Sequence, residues 1–117
     1  MPNSGFSLSA DAGVNVLELV LPQQLDASEF DRLNEDLAAA VKGKAADAWV
    51  LDLAAVEYSG SAILGLMVNF RQQIKQGGGR LALASMSPRL MEVFRTCSLD
   101  RLFRTAPTRA SAIKALS

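Results

Sequence analysis

The segment Ser59-Gly60-Ser61 holds the side chains of this sequence that are best placed to do chemistry. It follows a mostly apolar run, Ala48–Leu53, and precedes a run with helical periodicity that begins at Ala62. In open α/β sheets, the loops at the carboxyl ends of strands carry the functional groups. Ser61 stands at the expected N-cap of the helix, next to the positive end of its dipole. A phosphate on its hydroxyl would be stabilised there and would add a charge of about −1.5 to −2.

The simplest alternative is that Ser61 only caps the helix, since serine is a preferred N-cap residue. A nucleophilic serine is disfavoured, because the nucleophile elbow has Gly at both second-neighbour positions, where this chain has Ser59 and Ile63. The sequence has no histidine, which excludes Ser-His-Asp triads, Cys-His pairs and histidine metal sites. Its one cysteine, Cys97, excludes an intramolecular disulfide and thiolate metal cages. We therefore expect no enzyme activity, no metal and no cofactor.

Composition favours one small globular domain that spans residues 1–117. Half of the residues are hydrophobic, and 12 basic residues balance 12 acidic ones, so no global field attracts nucleic acid or an anionic membrane. No secretory signal or membrane-spanning run is present, which makes a cytoplasmic location the default. A local basic patch is an alternative to a simple solvated face for five arginines of the last third: Arg89, Arg95, Arg101, Arg104 and Arg109.

Strand-like and helix-like patterns alternate and predict the order β-β-α-β-α-β-α-β-α, an α/β fold with a mainly parallel sheet and an N-terminal hairpin. In the second strand the alternation slips between Val16 and Leu17, which indicates either a bulge or burial on both faces. The strands are predicted at Phe6–Ala10, Val14–Leu21, Ala48–Leu53, Arg80–Ala84 and Leu102–Thr105.

Local signals also mark the helices. Asp26 or Ser28 can cap the first helix, and the second is predicted over Ala62–Gln76. Cys97 continues the apolar stripe of the third helix, so we expect a buried thiol. The remaining boundary signals are Gly43 after the first helix, Gly77-Gly78-Gly79 after the second, Ser87-Pro88 before the third and Thr108 before the last.

Several of these segments together resemble the signature of STAS domains, a family that includes the bacterial anti-sigma factor antagonists. The resemblance spans almost the whole chain in the right order and spacing. It implies a mixed sheet of four to five strands, mostly parallel, with about four helices. The segments that carry it are Val50–Leu53, Val56–Gly65, Gly78–Leu83, Ser87-Pro88, Leu99–Phe103 and Leu25-Asp26.

The resemblance also implies a function and a site. Such regulators bind an anti-sigma factor serine kinase of the GHKL type, which phosphorylates a serine or threonine at the start of the second helix, and a phosphatase restores binding. The family pattern Asp-Ser-Ser/Thr-Gly-Leu-Gly falls on residues 60–65, which makes Ser61 the phosphorylation site. Gly60 stands in place of the Asp, and Ile63 in place of the first Gly. The partner-binding surface is predicted at Ser59, Gly60, Ser61, Ala62, Gln23 and Gln24.

Two other hypotheses stay open at this point. STAS domains also serve as non-phosphorylated subunits of transport or signalling complexes, and a chain without the Asp at position 60 could be such a scaffold. An enzyme or nucleotide-binding domain is disfavoured, because Gly77-Gly78-Gly79 follows a helix and precedes a strand, the reverse of a P-loop. The sequence decides neither the oligomeric state nor whether Ser59 substitutes for Ser61.

Overall fold

A five-stranded mixed sheet organises the chain in the computed structural model, which describes residues 5–57 and 60–116. The strands lie in sequence order, the first pair antiparallel and the others parallel. This confirms the predicted α/β class and the N-terminal hairpin. The strands are β1 (Gly5–Asp11), β2 (Val14–Val20), β3 (Ala48–Asp52), β4 (Arg80–Ala84) and β5 (Arg104–Ala106).

Four α-helices connect and cover the strands in the predicted order, with a short 3₁₀ turn at Leu99–Arg101 before β5. Within the described ranges, no helix has the length and apolar character needed to cross a membrane. The helices are α1 (Ala27–Val41), α2 (Ala62–Gln76), α3 (Pro88–Thr96) and α4 (Arg109–Leu116).

The slip in the β2 pattern reflects burial on both faces. The β1–β2 register runs without interruption from Gly5 opposite Val20 to Asp11 opposite Val14, so this pair contains no bulge. Leu17 packs in the cluster formed with α1, α2 and α3, whereas Val16 packs in the smaller cluster formed with α4. Apolar residues on consecutive positions are therefore required here.

The larger core lies between the sheet and three helices and is centred on Trp49 in β3. Its indole ring is fully buried and meets the ring of Phe70 edge-on, with centroids 5.8 Å apart. The indole N–H donates to the carbonyl oxygen of Lys44 at 2.9 Å, so this buried polar atom is satisfied. Trp49 is thus a packing residue of the core.

Two expectations near the carboxyl end are corrected. Cys97 is exposed, because α3 ends at Thr96 and Cys97 has left the helical conformation as its C-cap. The next residue, Ser98, is left-handed at φ 60°, and Leu99 packs against the core instead. The last strand begins later than predicted: the 3₁₀ turn takes the chain past Leu102 before pairing with β4 starts at residue 104.

The glycine run after α2 is required by the close approach of the segment before β3. A Cβ on Gly79 would overlap the carbonyl oxygens of Ala45 and Asp47, which belong to the backbone and cannot swing aside. Gly78 has φ +85°, a conformation that favours glycine. The prediction that this run is a turn after the helix is confirmed.

A buried carboxylate joins the end of β3 to α4. Asp52 Oδ2 accepts from Arg109 Nε–H at 2.7 Å, and Oδ1 accepts the Ala54 N–H at 3.0 Å. The Asp52 side chain is 6% exposed and that of Arg109 is 40% exposed. A second carboxylate, Glu18 Oε2, lies 3.8 Å from Arg109 Nη2 and is itself 39% exposed. Arg109 therefore neutralises a charge that would otherwise be costly to bury.

Two glycine substitutions should have opposite effects on the free energy of unfolding. Gly79→Ala should lower it by about 1–3 kcal/mol, because the added methyl group meets backbone. Gly65→Ala should raise it by about 0.5–1 kcal/mol, since Gly65 lies inside α2 and a Cβ there meets nothing within 4 Å. Urea unfolding of the two variants measures both, and equal effects would contradict the packing described here.

Removing the cation that faces Asp52 should destabilise the fold. A broken buried pair costs about 3–5 kcal/mol, and the partial exposure of Arg109 reduces our expectation for Arg109→Met to about 1–3 kcal/mol. The matched control is Glu18→Gln, which removes the long and exposed partner of the same guanidinium and should cost under about 0.5 kcal/mol. If urea unfolding shows that Glu18→Gln costs as much as Arg109→Met, the burial of Asp52 is not what makes the pair important.

Candidate functional site

The two segments predicted to form the site leave the same edge of the sheet. β2 and β3 are parallel neighbours, so their carboxyl ends meet there. Just beyond them, Leu21 forms an isolated parallel bridge with Val56. The Leu21 N–H donates to the Ala55 carbonyl oxygen at 3.3 Å, and the Glu57 N–H donates to the Leu21 carbonyl oxygen at 2.8 Å. Residue 21, two positions before Gln23, and residues 55–57 are thereby held side by side.

Ser61 does not cap α2 with its side chain. Its backbone is already helical, at φ −66° and ψ −21°, and its hydroxyl forms no hydrogen bond with any described residue. The helix starts instead through backbone bonds: Ile63 N–H to the Gly60 carbonyl at 3.3 Å, and Leu64 N–H to the Ser61 carbonyl at 3.0 Å. The capping interpretation of Ser61 is therefore wrong, because a capping side chain needs an extended backbone. Ser61 is exposed.

The exposed residues described in the first turn of α2, next to Ser61, are small and uncharged. Ser61 and Ala62 are exposed, and Gly65 is exposed one helical turn further on. Ile63, which replaces the family glycine, points inward and is fully buried, so it contributes to the core rather than to this surface. Gly65 was absent from the predicted site, although its spacing of four from Ser61 is the signal that could have identified it.

The Gln23-Gln24 loop is exposed, and the capping box of α1 follows it directly in the chain. Asp26 Oδ1 accepts the Glu29 N–H at 2.8 Å and the Ser28 hydroxyl at 2.8 Å, while the Asp26 N–H donates to Glu29 Oε1 at 3.0 Å. The hydrogen bond from the Glu29 N–H is the largest cause that lowers the pKa of Asp26 below its ordinary value, because it stabilises the carboxylate. The hydrogen bond from the Ser28 hydroxyl is the next largest. Of the two predicted caps, Asp26 is the cap and Ser28 supports it.

The other predicted positions divide as follows. Gly60 is half-buried, and Ser59 lies outside the described residues. The arginines of the last third are distributed over α3, the 3₁₀ turn, β5 and α4. Two of them are engaged within the chain: Arg109 with Asp52, and Arg104 through a hydrogen bond of 2.9 Å to the Ala115 carbonyl.

A cavity of about 260 Å³ lies away from Ser61, at the amino ends of β4 and β5. Residues of the carboxyl half of α2 line one side, and no residue of 60–65 contributes to it. This cavity is therefore separate from the candidate site. The cavity is lined by Arg71, Ile74, Lys75, Gly79, Arg80, Leu81, Leu102, Arg104 and Leu116.

Comparison with known proteins identifies what this arrangement is similar to. A family model described as STAS domain matches residues 8–112. A Bordetella bronchiseptica protein, BtrV, whose name describes an anti-sigma factor antagonist, is 30% identical over 110 residues, which are 94% of each chain.

Solved structures have the same fold. An anti-sigma-factor antagonist (STAS) domain protein from Planctomyces limnophilus superposes with a TM-score of 0.82 at 27% identity, over 97% of this chain and 98% of that one. The Bacillus cell fate determinant SpoIIAA in its phosphorylated form superposes with a TM-score of 0.66 at 18% identity, over 96% and 99% of the two chains. The latter is a likeness of fold alone.

The cap beneath the Gln23-Gln24 loop should make stability depend on pH. Because the pKa of Asp26 is lower in the folded chain than in the unfolded one, its contribution is present above the unfolded pKa of about 3.9. That contribution is lost as pH falls through the folded pKa. Asp26→Asn keeps a capping side chain but removes the titration. Between about pH 5 and pH 2, urea unfolding should show a steeper loss of stability in the wild type than in Asp26→Asn; parallel curves would contradict this assignment.

Proposed function

This chain belongs to the STAS domain family, and we propose that it is an anti-sigma factor antagonist whose binding is switched by phosphorylation at Ser61. It binds a kinase-type anti-sigma factor through the surface formed by Gly60, Ser61, Ala62, Gly65 and the Gln23-Gln24 loop. Transfer of a phosphate to Ser61 ends that binding, and a phosphatase restores it. The observation that carries the proposal is the exposed Ser61 hydroxyl, which forms no hydrogen bond with any described residue.

The state of this hydroxyl supports the role of a phosphate acceptor. A capping serine would have to give up its bond to the backbone before it could enter the active site of another protein. Ser61 has no such bond to lose. No described residue lies within hydrogen-bond distance of its side chain to act as a base, and the sequence contains no histidine. The hydroxyl thus lacks the partner that a nucleophile needs, and a kinase would supply it.

Electrostatics at the start of α2 also favour a phosphorylated Ser61. The first turn of the helix contains no acidic residue, so nothing within it repels a phosphate, and the helix dipole attracts one. Gly60 contributes no charge where the family pattern has an Asp. A charge of about −1.5 to −2 would therefore be the dominant local charge at this surface. Since the side chain is exposed, the fold itself need not change.

The shape of the surface supports protein binding. Side chains as small as those of Ser61, Ala62 and Gly65 allow the backbone of a partner to approach closely, and a Cβ at Gly65 would meet nothing. The Leu21–Val56 bridge holds residue 21 beside residue 56, which supports a shared surface for the Gln23-Gln24 loop and the start of α2. A phosphate in the centre of such a contact would be desolvated without a matching cation, which costs far more than a charge at the rim.

Ser61→Asp should weaken binding to a GHKL-type anti-sigma factor kinase from the same genome by at least about tenfold, since the added carboxylate is buried in the complex. Ser61→Ala should bind like the wild type. Gln72→Glu is the matched control, because it adds one negative charge to an exposed position of the same helix about 16 Å along the axis. Isothermal titration calorimetry measures all three, and circular dichroism checks that the fold is unchanged.

Incubation with that kinase and ATP should place one phosphate on the wild type and none on Ser61→Ala, as measured by mass spectrometry of the intact chain and its peptides. Binding without any phosphorylation would refute the switch and leave the scaffold hypothesis, for which Gly60 is the sequence argument. Phosphate on Ser59 instead of Ser61 would refute the assignment of the acceptor. If no anti-sigma factor kinase of that genome binds, the proposed function is wrong.

A further inference from the structure

Strand β1, seven residues long, lies at one end of the sheet, and its outer edge pairs with no other strand of residues 5–57 and 60–116. We propose that two copies of this chain pair along this edge, antiparallel and centred on Leu8, to form a two-fold symmetric dimer with a continuous ten-stranded sheet. The inference concerns oligomeric state, which the proposed function does not specify. It is carried by the residues and the backbone geometry of β1.

The hairpin turn determines which backbone groups of β1 face outward. Ala12 and Gly13 both have positive φ, 54° and 80°, as in a two-residue type I′ turn, and Asp11 lies opposite Val14. In such a hairpin the pair that closes the turn is hydrogen-bonded, and alternate residues along the strand direct their N–H and C=O groups to the same side. The backbone N–H and C=O groups of four residues therefore face β2: those of Gly5, Ser7, Ser9 and Asp11. The corresponding groups of Phe6, Leu8 and Ala10 point to the open edge.

Antiparallel pairing about Leu8 uses all of these outward groups. Leu8 then lies opposite Leu8 of the second copy, and Phe6 of each copy lies opposite Ala10 of the other. Each of these three pairs is a hydrogen-bonded pair that exchanges two backbone bonds. The side chains also match, because Phe6, Leu8 and Ala10 share one face of the strand, and Ser7 lies opposite Ser9 on the other. No charged residue lies opposite a like charge, since Asp11 falls opposite Gly5.

The exposure of these residues favours a partner strand. Leu8 is 41% exposed although it lies on the face of the sheet that carries the larger core, and Phe6 only partly reaches that core. β1 lacks the features that usually protect an edge: residues 6–10 contain no lysine, no proline and no charge, and the β1–β2 pair has no bulge. The opposite edge, β5, is only three residues long and begins with Arg104. A second copy thus fits β1 and not β5.

The dimer leaves the surface around Ser61 free in both copies. The two-fold axis reverses the strand direction, so the carboxyl ends of β2 and β3 point to opposite ends of the combined sheet. Dimerisation and binding of an anti-sigma factor are therefore independent. Because the measurements below contain no second protein, their failure would leave the proposed function untouched.

Sedimentation equilibrium of the purified chain from about 5 μM to 1 mM should show a concentration-dependent rise toward twice the mass of the chain. A single strand edge buries less than a standard interface, so we expect a dissociation constant on the order of 100 μM. Leu8→Lys places two like charges opposite each other and should raise that constant at least about tenfold. Val20→Lys is the matched control, because Val20 is similarly exposed, at 37%, but lies on the inner strand β2, and it should leave the constant unchanged.

Disulfide trapping tests the register. In a Cys97→Ser background, which removes the exposed native thiol, Ser7→Cys and Ser9→Cys proteins should cross-link when mixed under mild oxidation. Residues 7 and 9 of opposite chains form a non-hydrogen-bonded pair with Cα atoms about 4.5 Å apart, within disulfide range. Either protein alone should cross-link at least fivefold less, since equivalent residues are diagonal neighbours about 7–8 Å apart.

A chain that remains monomeric up to 1 mM would overturn the proposal. So would a dimer that Leu8→Lys leaves intact, which would place the interface elsewhere. Equal cross-linking of the mixed and the single proteins would refute the register centred on Leu8.

Discussion

Coverage of β3 on both faces at once is the constraint on which the rest of the structure depends. Leu51 packs toward α1, α2 and α3, while Val50, the preceding residue, packs toward α4. Strands β2 and β4 pair with β3 on both edges in parallel. Because β3 is enclosed in this way, the segment that follows it must lie at the carboxyl edge of the sheet. That segment leads to Ser61.

The same constraint explains the buried carboxylate at the end of β3. Asp52 is the one charged residue among the described positions that is buried, and it lies where the strand passes from the closed core to the edge. Arg109 reaches it from α4, and Ala54 N–H occupies the other oxygen, so the pair secures both the last helix and the turn that follows β3. The framework behind the candidate site is thus stabilised by an interaction between residues 57 positions apart.

Against that framework, the side chain at the centre of the candidate site makes no contact on which the fold depends. The Ser61 hydroxyl forms no hydrogen bond with any described residue, and the helix behind it begins through backbone bonds from Gly60 and Ser61 carbonyls. A group can therefore be added to Ser61 without breaking a contact that the fold needs. A rigid framework with an exposed side chain that the fold does not need is what the proposed switch requires, because binding can then change while the fold does not.

The sequence alone determined the elements, their order and some of their bounds. α2 and β4 begin and end at the predicted residues, because apolar periodicity, the glycine run and the change of period are all local properties of the chain. The order and spacing of several short segments likewise indicated the family, which the family model confirms. The motif at residues 60–65 is the basis of the proposal for Ser61.

Tertiary structure decided what those local patterns leave open. Cys97 is exposed because α3 ends one residue before it, a position set by where the 3₁₀ turn and β5 must go to pair with β4. The Ser61 side chain does not cap α2, because its own backbone is already helical, at φ −66° and ψ −21°. The Asp52–Arg109 pair and the open edge of β1 depend on which strands become neighbours. The apolar periodicity of a segment shows that one face of a helix or strand must be buried. Only the assembled sheet decides which residues bury that face and which strand edge remains free.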